Sequence, residues 1–324
     1  MTYSPGWSVI EQTLVRRERW PGGYTVKGTP LVRPGQEVVA DQPVLRLERS
    51  QPVSGALPPL DEGAREGNNG VAVQTETVPA GLRGRVVDIT RRGGVVIEGR
   101  ATVVRGAIGV GKQVAGVLTM WQSGKMGRAA SIPAGALLVV PGPVNFAFLH
   151  QALLSNISGM IASSIELRDL EGFLRTDLIS LLANADLARV QDSLPPLTLC
   201  LTEGLGTLMM PVHVTNLLSK YQGALALLSG TTSLRHELFP DLLITLPEQS
   251  AQADWQPVQP DLAFTVGARV RICGGEYEGK TGVINYLFKH QQVFSWGLRE
   301  RAALLGSEDG ATLVVPLALL ARIG

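Results

Sequence analysis

A chain of 324 residues is longer than one hydrophobic core usually supports, so two or three domains are expected. Apolar residues make up 45% of it and charged residues only 18%, which fits packed cores and extensive burial, including at an interface. The formal net charge of +1 supplies no global field toward nucleic acid or an anionic membrane. No apolar run reaches about 18 residues without a Pro, an Asn or a charge, so no membrane span is expected. The start "MTYSPGWSVIEQ" lacks the charged-then-apolar pattern of a secretory signal, and a cytoplasmic protein is the expectation.

Residues 1–135 read as β structure: "WSVIEQTLV", "EVVA", "PVLRLE", "RGRVVDIT", "GVVIEG" and "AGVLTMW" are short apolar runs broken by Gly and Pro. Among them, 49–70 is polar and rich in Gly and Pro, the composition of a long exposed loop. Over 136–248, strand-like runs alternate with helical patterns. "ALLVVPG", "GMIASS", "LTLCLTEG", "ALALLSG" and "DLLITLP" are the strands; "VNFAFLHQALLSN", "IELRDLEGFL", "DLISLLANADLARVQDSL" and "VHVTNLLSKYQG" are the helices. Continuous apolar strands alternating with helices predict a parallel sheet covered by helices, an α/β three-layer domain. "EQSAQADWQPVQP" reads as a linker, assigned to 249–260, and 261–324 returns to short strands, enough for a small β-barrel. The fold class is therefore α/β multidomain.

Two segments resemble known modules. "VRPGQEVVADQPVLRLE" (32–48) and "PAGLRGRVVDITRRGGVVIEG" (79–99) resemble the two halves of lipoyl- and biotinyl-type barrel-sandwich domains, closest in flavour to those of the RnfC and NqrA subunits of redox pumps. That resemblance implies a β-rich barrel-sandwich fold for 1–135. The modifiable lysine of those families would need acidic or methionine neighbours on a hairpin tip. Lys27 in "TVKGT" and Lys125 in "SGKMG" do not have those flanks, and no cofactor is expected. "VGARVRICGGEYEGKTGVI" (266–284) resembles the KOW motif of SH3-like barrels in transcription elongation factors and ribosomal proteins, through Gly267, Val270, Gly279, Gly282 and Val283. The resemblance implies a barrel that touches RNA or protein near the motif turn, here at Arg269, Arg271, Tyr277 and Lys280. Seven basic residues against six acidic ones over 261–324, with Glu276 and Glu278 in the turn itself, disfavour RNA. A protein contact or intramolecular docking is the expectation.

Chemistry has three candidate locations. "GAIGVGKQ" (106–113) comes within one residue of a phosphate-binding loop. Gln113 stands where the magnesium-binding hydroxyl belongs, and a β-branched run follows where a helix is required, so a glycine-rich turn between strands is expected instead. In open parallel sheets, ligands bind beyond the carboxyl ends of the strands. The residues expected there are Asn145, Ser163, Ser164, Thr202, Glu203, Gly204 and Gly206, then Ser229, Gly230, Thr231, Thr232 and Arg235. Such a pocket would hold a small anion, with Arg235 as counter-charge and Glu203 as acceptor. The same Ser and Thr residues also suit helix caps, and the glycines suit tight turns. Finally, no His, Cys or carboxylate cluster has metal spacing, no nucleophile–base arrangement is recognisable, and Cys200 and Cys273 read as buried free thiols. The sequence favours a non-enzymatic binding or assembly protein with a protein partner or a second copy. A ligand sensor or enzyme at the strand ends, and an RNA- or transcription-associated factor through 261–324, are the alternatives.

Overall fold

A computed structural model describes residues 9–23, 26–51, 72–121, 133–184, 187–233, 235–236, 238–246, 264–295, 297, 299–307 and 310–322. Nearly all of the loop expected over 49–70, the linker over 249–260 and Lys125 lie outside these residues. The first strands are β1 (Val9–Arg19), β2 (Val26–Pro30), β3 (Glu37–Val38), β4 (Pro43–Gln51), β5 (Ala72–Pro79), β6 (Gly84–Ile89), β7 (Val95–Arg105), β8 (Ile108–Val110) and β9 (Gln113–Met120). There follow β10 (Leu137–Val140), α1 (Phe146–Leu154), β11 (Gly159–Ile165), α2 (Leu167–Leu174), α3 (Leu178–Ala183), α4 (Leu187–Ser193), β12 (Thr198–Leu205), α5 (Val212–Lys220), β13 (Leu225–Ser229) and β14 (Asp241–Thr245). The last strands are β15 (Arg269–Ile272), β16 (Thr281–Leu287), β17 (Gln292–Val293), β18 (Arg299–Glu300), β19 (Ala302–Ser307), β20 (Thr312–Pro316) and β21 (Leu320–Arg322).

The fold is strand-rich, dominated by one large curled mixed sheet of eleven strands. Its order is β3-β6-β7-β14-β13-β9-β10-β11-β12-β8, with β1 added alongside β7. Residue 135 falls between β9 and β10, which are hydrogen-bonded neighbours, so the sheet runs without a break through that position. The parallel sheet expected over 136–248 exists as β10-β11-β12, and β9, from before residue 135, extends it in parallel. It does not extend to the last two strands. β13 runs antiparallel to β9, and β14 antiparallel to β13 and β7. Both are short and mostly buried, and a strand covered on both faces carries no alternation from which its direction can be read.

Helices cover both faces of the parallel block. β11 is buried along its whole length. Its Met160 and Ala162 enter a core with Leu149, Leu170 and Phe173, beneath α1 and α2. Ile161 enters the opposite core with Val214, Leu217 and Leu218 of α5. Each such aliphatic side chain contributes about 1.5–3 kcal/mol on full burial, and the sheet exists because both faces are used. A third core lies between the three-stranded sheet β2-β4-β5 and strands β6 and β7, around Leu45, Leu47, Val86 and Ile97. The antiparallel sheet β20-β19-β16-β15-β21 wraps a fourth, around Val270, Ile284 and Leu305. Among the described residues, no helix is long and apolar enough to cross a membrane.

β7 joins the first two regions. One edge pairs with β1 from Val104 to Val95. The other edge pairs with β6 over Val95–Glu98 and with β14 over Ala101–Arg105. At the changeover, Gly84 and Gly99 face each other so closely that a Cβ on Gly84 would overlap the Glu98 carbonyl. Gly84→Ala is therefore expected to cost about 2–4 kcal/mol, read as a lower urea midpoint at unchanged slope.

Candidate functional site

The carboxyl ends of β11 and β12 bring Ser163, Ser164, Thr202, Glu203 and Gly204 together. Gly204 and Gly206 take φ of +82° and +119°, which let the chain leave β12 sharply. The segment they release folds back over the strand ends. Gly206 N–H donates to the Ile165 carbonyl (2.8 Å), Ser164 Oγ to the Leu208 carbonyl (2.8 Å) and Met210 N–H to the Pro141 carbonyl (2.9 Å). Glu203 is only 2% exposed in its side chain, and Arg271 of β15 reaches it from the C-terminal sheet. Arg271 Nη1 donates to both carboxylate oxygens, at 3.1 and 3.0 Å. Burial raises the Glu203 pKa above its ordinary value, and the charge of Arg271 opposes the rise. Leu208 sits directly beneath Gly279 in the turn between β15 and β16. An anticipated ligand acceptor and an anticipated partner contact are thus engaged with each other. Among the described residues, Ser163 Oγ is buried without a hydrogen-bond partner and Thr202 Oγ1 makes no hydrogen bond of ordinary geometry, although the Thr202 dipole still favours ionised Glu203.

The other half of the anticipated pocket lies elsewhere. Because β13 is antiparallel to β9, with Ser229 opposite Gln113, the loop after it emerges at the amino ends of the parallel strands. Ser229, Gly230, Thr231 and Thr232 therefore do not converge with Thr202 and Glu203. Gly230 packs on the Val110 carbonyl. Thr231 Oγ1 accepts from Gln191 Nε2 (2.6 Å), and Thr232 Oγ1 accepts the Gly109 N–H (2.8 Å). Arg235 is exposed in a turn, away from Glu203's end of the sheet. Asn145 caps α1, accepting the Phe148 N–H at 2.9 Å.

The stretch 106–113 joins three strands. β7 ends just before it, β8 occupies its middle, and β9 begins at Gln113, so no helix follows the lysine. Gly111 turns the chain with φ +99°. Lys112 pairs with Asp192 of α4. The Gln113 side chain accepts from Arg19 and from the Trp20 N–H and donates to the Glu18 carbonyl, fastening β9 to the end of β1. Burial lowers the Arg19 pKa to about 9, which still leaves a cation at neutral pH; the Pro79 carbonyl accepts from its Nε at 3.0 Å. No protein-family model, curated protein or solved structure matches this chain.

Elsewhere, Tyr277 packs on the C-terminal core with the Lys280 ammonium 5.7 Å from its ring centre, and Arg269 is exposed on β15. Cys200 is buried, and burial pushes its thiol up to about 12, out of the nucleophilic range. Cys273 departs from expectation and is exposed, because the chain has already turned out of β15 there. One concavity among the described residues was missed by sequence reasoning. A half-open groove of about 640 Å³ lies between α1, α2, α3 and the chain linking α4 to β12. Its floor includes Leu153, Phe173 and Leu181, and Arg175 is at its rim. The sequence signal was Gly172, a gap on the face of an otherwise good helix.

Two consequences are measurable. Arg271→Ala leaves a buried carboxylate without its cation, and about 3–5 kcal/mol should be lost at neutral pH. Removing Arg271 raises the folded-state pKa of Glu203 further, so the deficit is complete above that pKa. It should shrink as pH falls through it toward the unfolded value, which urea unfolding at several pH values would trace. Gln113→Thr, which completes the phosphate-loop pattern in sequence, should cost about 1–3 kcal/mol by stranding Arg19, and calorimetry with ATP and magnesium should show no binding.

Proposed function

We propose that the chain is a non-enzymatic binding and assembly protein, with β-rich parts framing an α/β core and protein partners held on its outer surfaces. The observation that carries this reading is the outer helical layer. Leu154 at the end of α1 and Ile179 in α3 are 75% and 72% exposed, and Phe146 and Leu167 are also exposed. Val293, Met209, Val266 and Val212 are also exposed, on other parts of the chain; four large apolar side chains on one helical layer support an interaction surface there. The Arg271–Glu203 pair supports the companion idea that the C-terminal sheet uses its motif strands for docking onto its own core.

A ligand sensor at the strand ends is the second reading, favoured by the buried Ser163 Oγ, which has no hydrogen-bond partner among the described residues. It requires Arg271 to give up Glu203 to a competing ligand.

Sedimentation of the native chain at micromolar concentration separates the two. Assembly predicts a species heavier than the 34.5 kDa monomer, alone or with a co-purifying protein identified by mass spectrometry. The double variant Leu154→Glu/Ile179→Glu should return it to the monomer without lowering the melting temperature. A monomer with no bound protein, stabilised instead by a small anion, would favour the sensor.

A further inference from the structure

The groove between α1, α2, α3 and the α4–β12 connection has the size and lining of a small-molecule site. Its volume of about 640 Å³ falls inside the usual range for ligand pockets, about 300–1,000 Å³. The walls are pre-formed. Phe173, Leu174 and Leu181 are anchored in the core, and Phe146 stacks on His150 with ring centres 6.3 Å apart.

The charge at the groove is one-sided. Arg175 is the only Lys, Arg, Asp or Glu among the described lining residues. The carboxylates nearby are committed to backbone N–H groups instead: Asp169 accepts from Phe146, Glu171 from Leu178 and Asp177 from Ser180. None of the three lines the groove. Arg175 forms no ion pair among the described residues. It also occupies the left-handed cap of α2, with φ +57°, where helices usually place glycine. A bulky cation at a position suited to glycine, beside an apolar floor, is an arrangement that an anionic head with an apolar body complements.

We infer that this groove binds a free anionic amphiphile, a single carboxylate on an aliphatic chain, with the chain over Leu153, Phe173 and Leu181 and the carboxylate on Arg175. This is independent of the assembly reading, whose readout is mass rather than ligand uptake.

Decanoate and decanol, titrated calorimetrically into the full chain, test it. Decanoate should bind saturably with a dissociation constant below about 1 mM, and decanol about tenfold more weakly. Arg175→Gln should weaken decanoate about tenfold and leave decanol unchanged. Gly172→Leu fills the groove from α2: a Cβ there meets only Phe146, at an ordinary 3.7 Å. That variant should abolish uptake of both while keeping or raising the melting temperature, since glycine is a poor helix former. Absence of saturable decanoate binding, equal affinity for decanol, or binding untouched by Gly172→Leu would each overturn the assignment.

Discussion

β7 has hydrogen-bonded neighbours on both edges, and its second edge changes partner between Glu98 and Ala101. That constraint decides the architecture. The β-rich first region and the helix-covered block share one strand, and their cores approach each other across it. Ala101 and Val103 belong to the first core, Val104 to the core beneath α5. A sheet that changes partners mid-strand needs two backbones to come unusually close, which is why glycines face each other at 84 and 99. A one-residue slip of β7 would exchange Ile97 for Glu98 in the first core, so its register against β6 is fixed there by side-chain alternation.

Charge is spent at junctions of the same kind. Arg17 of β1 pairs with Asp241 of β14, Lys112 with Asp192 of α4, and Arg271 of β15 with Glu203 of β12. Each pair links elements far apart in sequence. Burial raises the pKa of both Asp241 and Glu203 against the pull of their arginines, so desolvation outweighs attraction in both. Such pairs add little net stability. They act on specificity, because a misdocked strand or sheet leaves a charge in an apolar setting.

How much of this was legible in the sequence follows from what periodicity can carry. Strand and helix runs from 136 to 248 were readable because each is long enough to show its period, and β10, β11 and β12 lie where "ALLVVPG", "GMIASS" and "LTLCLTEG" predict strands. Strand direction was not readable, and that single gap separated Ser229–Arg235 from Thr202 and Glu203. The near-match at 106–113 could be discounted from Gln113 and the β-branched run behind it. The actual duty of Gln113, holding Arg19 and Trp20, depends on residues about ninety positions away and left no local trace. Glu203 was singled out as a ligand acceptor and Arg271 as a partner contact. Nothing in one dimension could reveal that each was the other's partner.

With these charges satisfied internally, the strand ends keep only the Ser163 and Thr202 hydroxyls without a hydrogen bond among the described residues, and the helical layer offers further features. There Leu154 and Ile179 face solvent, and Arg175 has no carboxylate partner among the described residues beside an apolar groove. The asymmetry has a physical origin. The short helices α2, α3 and α4 follow one another with few connecting residues, so they cannot all pack flush on β11 and β12, and the space left between them is the groove. α5, on the opposite face, buries Val214, Leu217 and Leu218 in the sheet's other core. Val212 of that helix is 61% exposed, so apolar surface remains on this face too, and the groove is what sets the α1–α3 side apart.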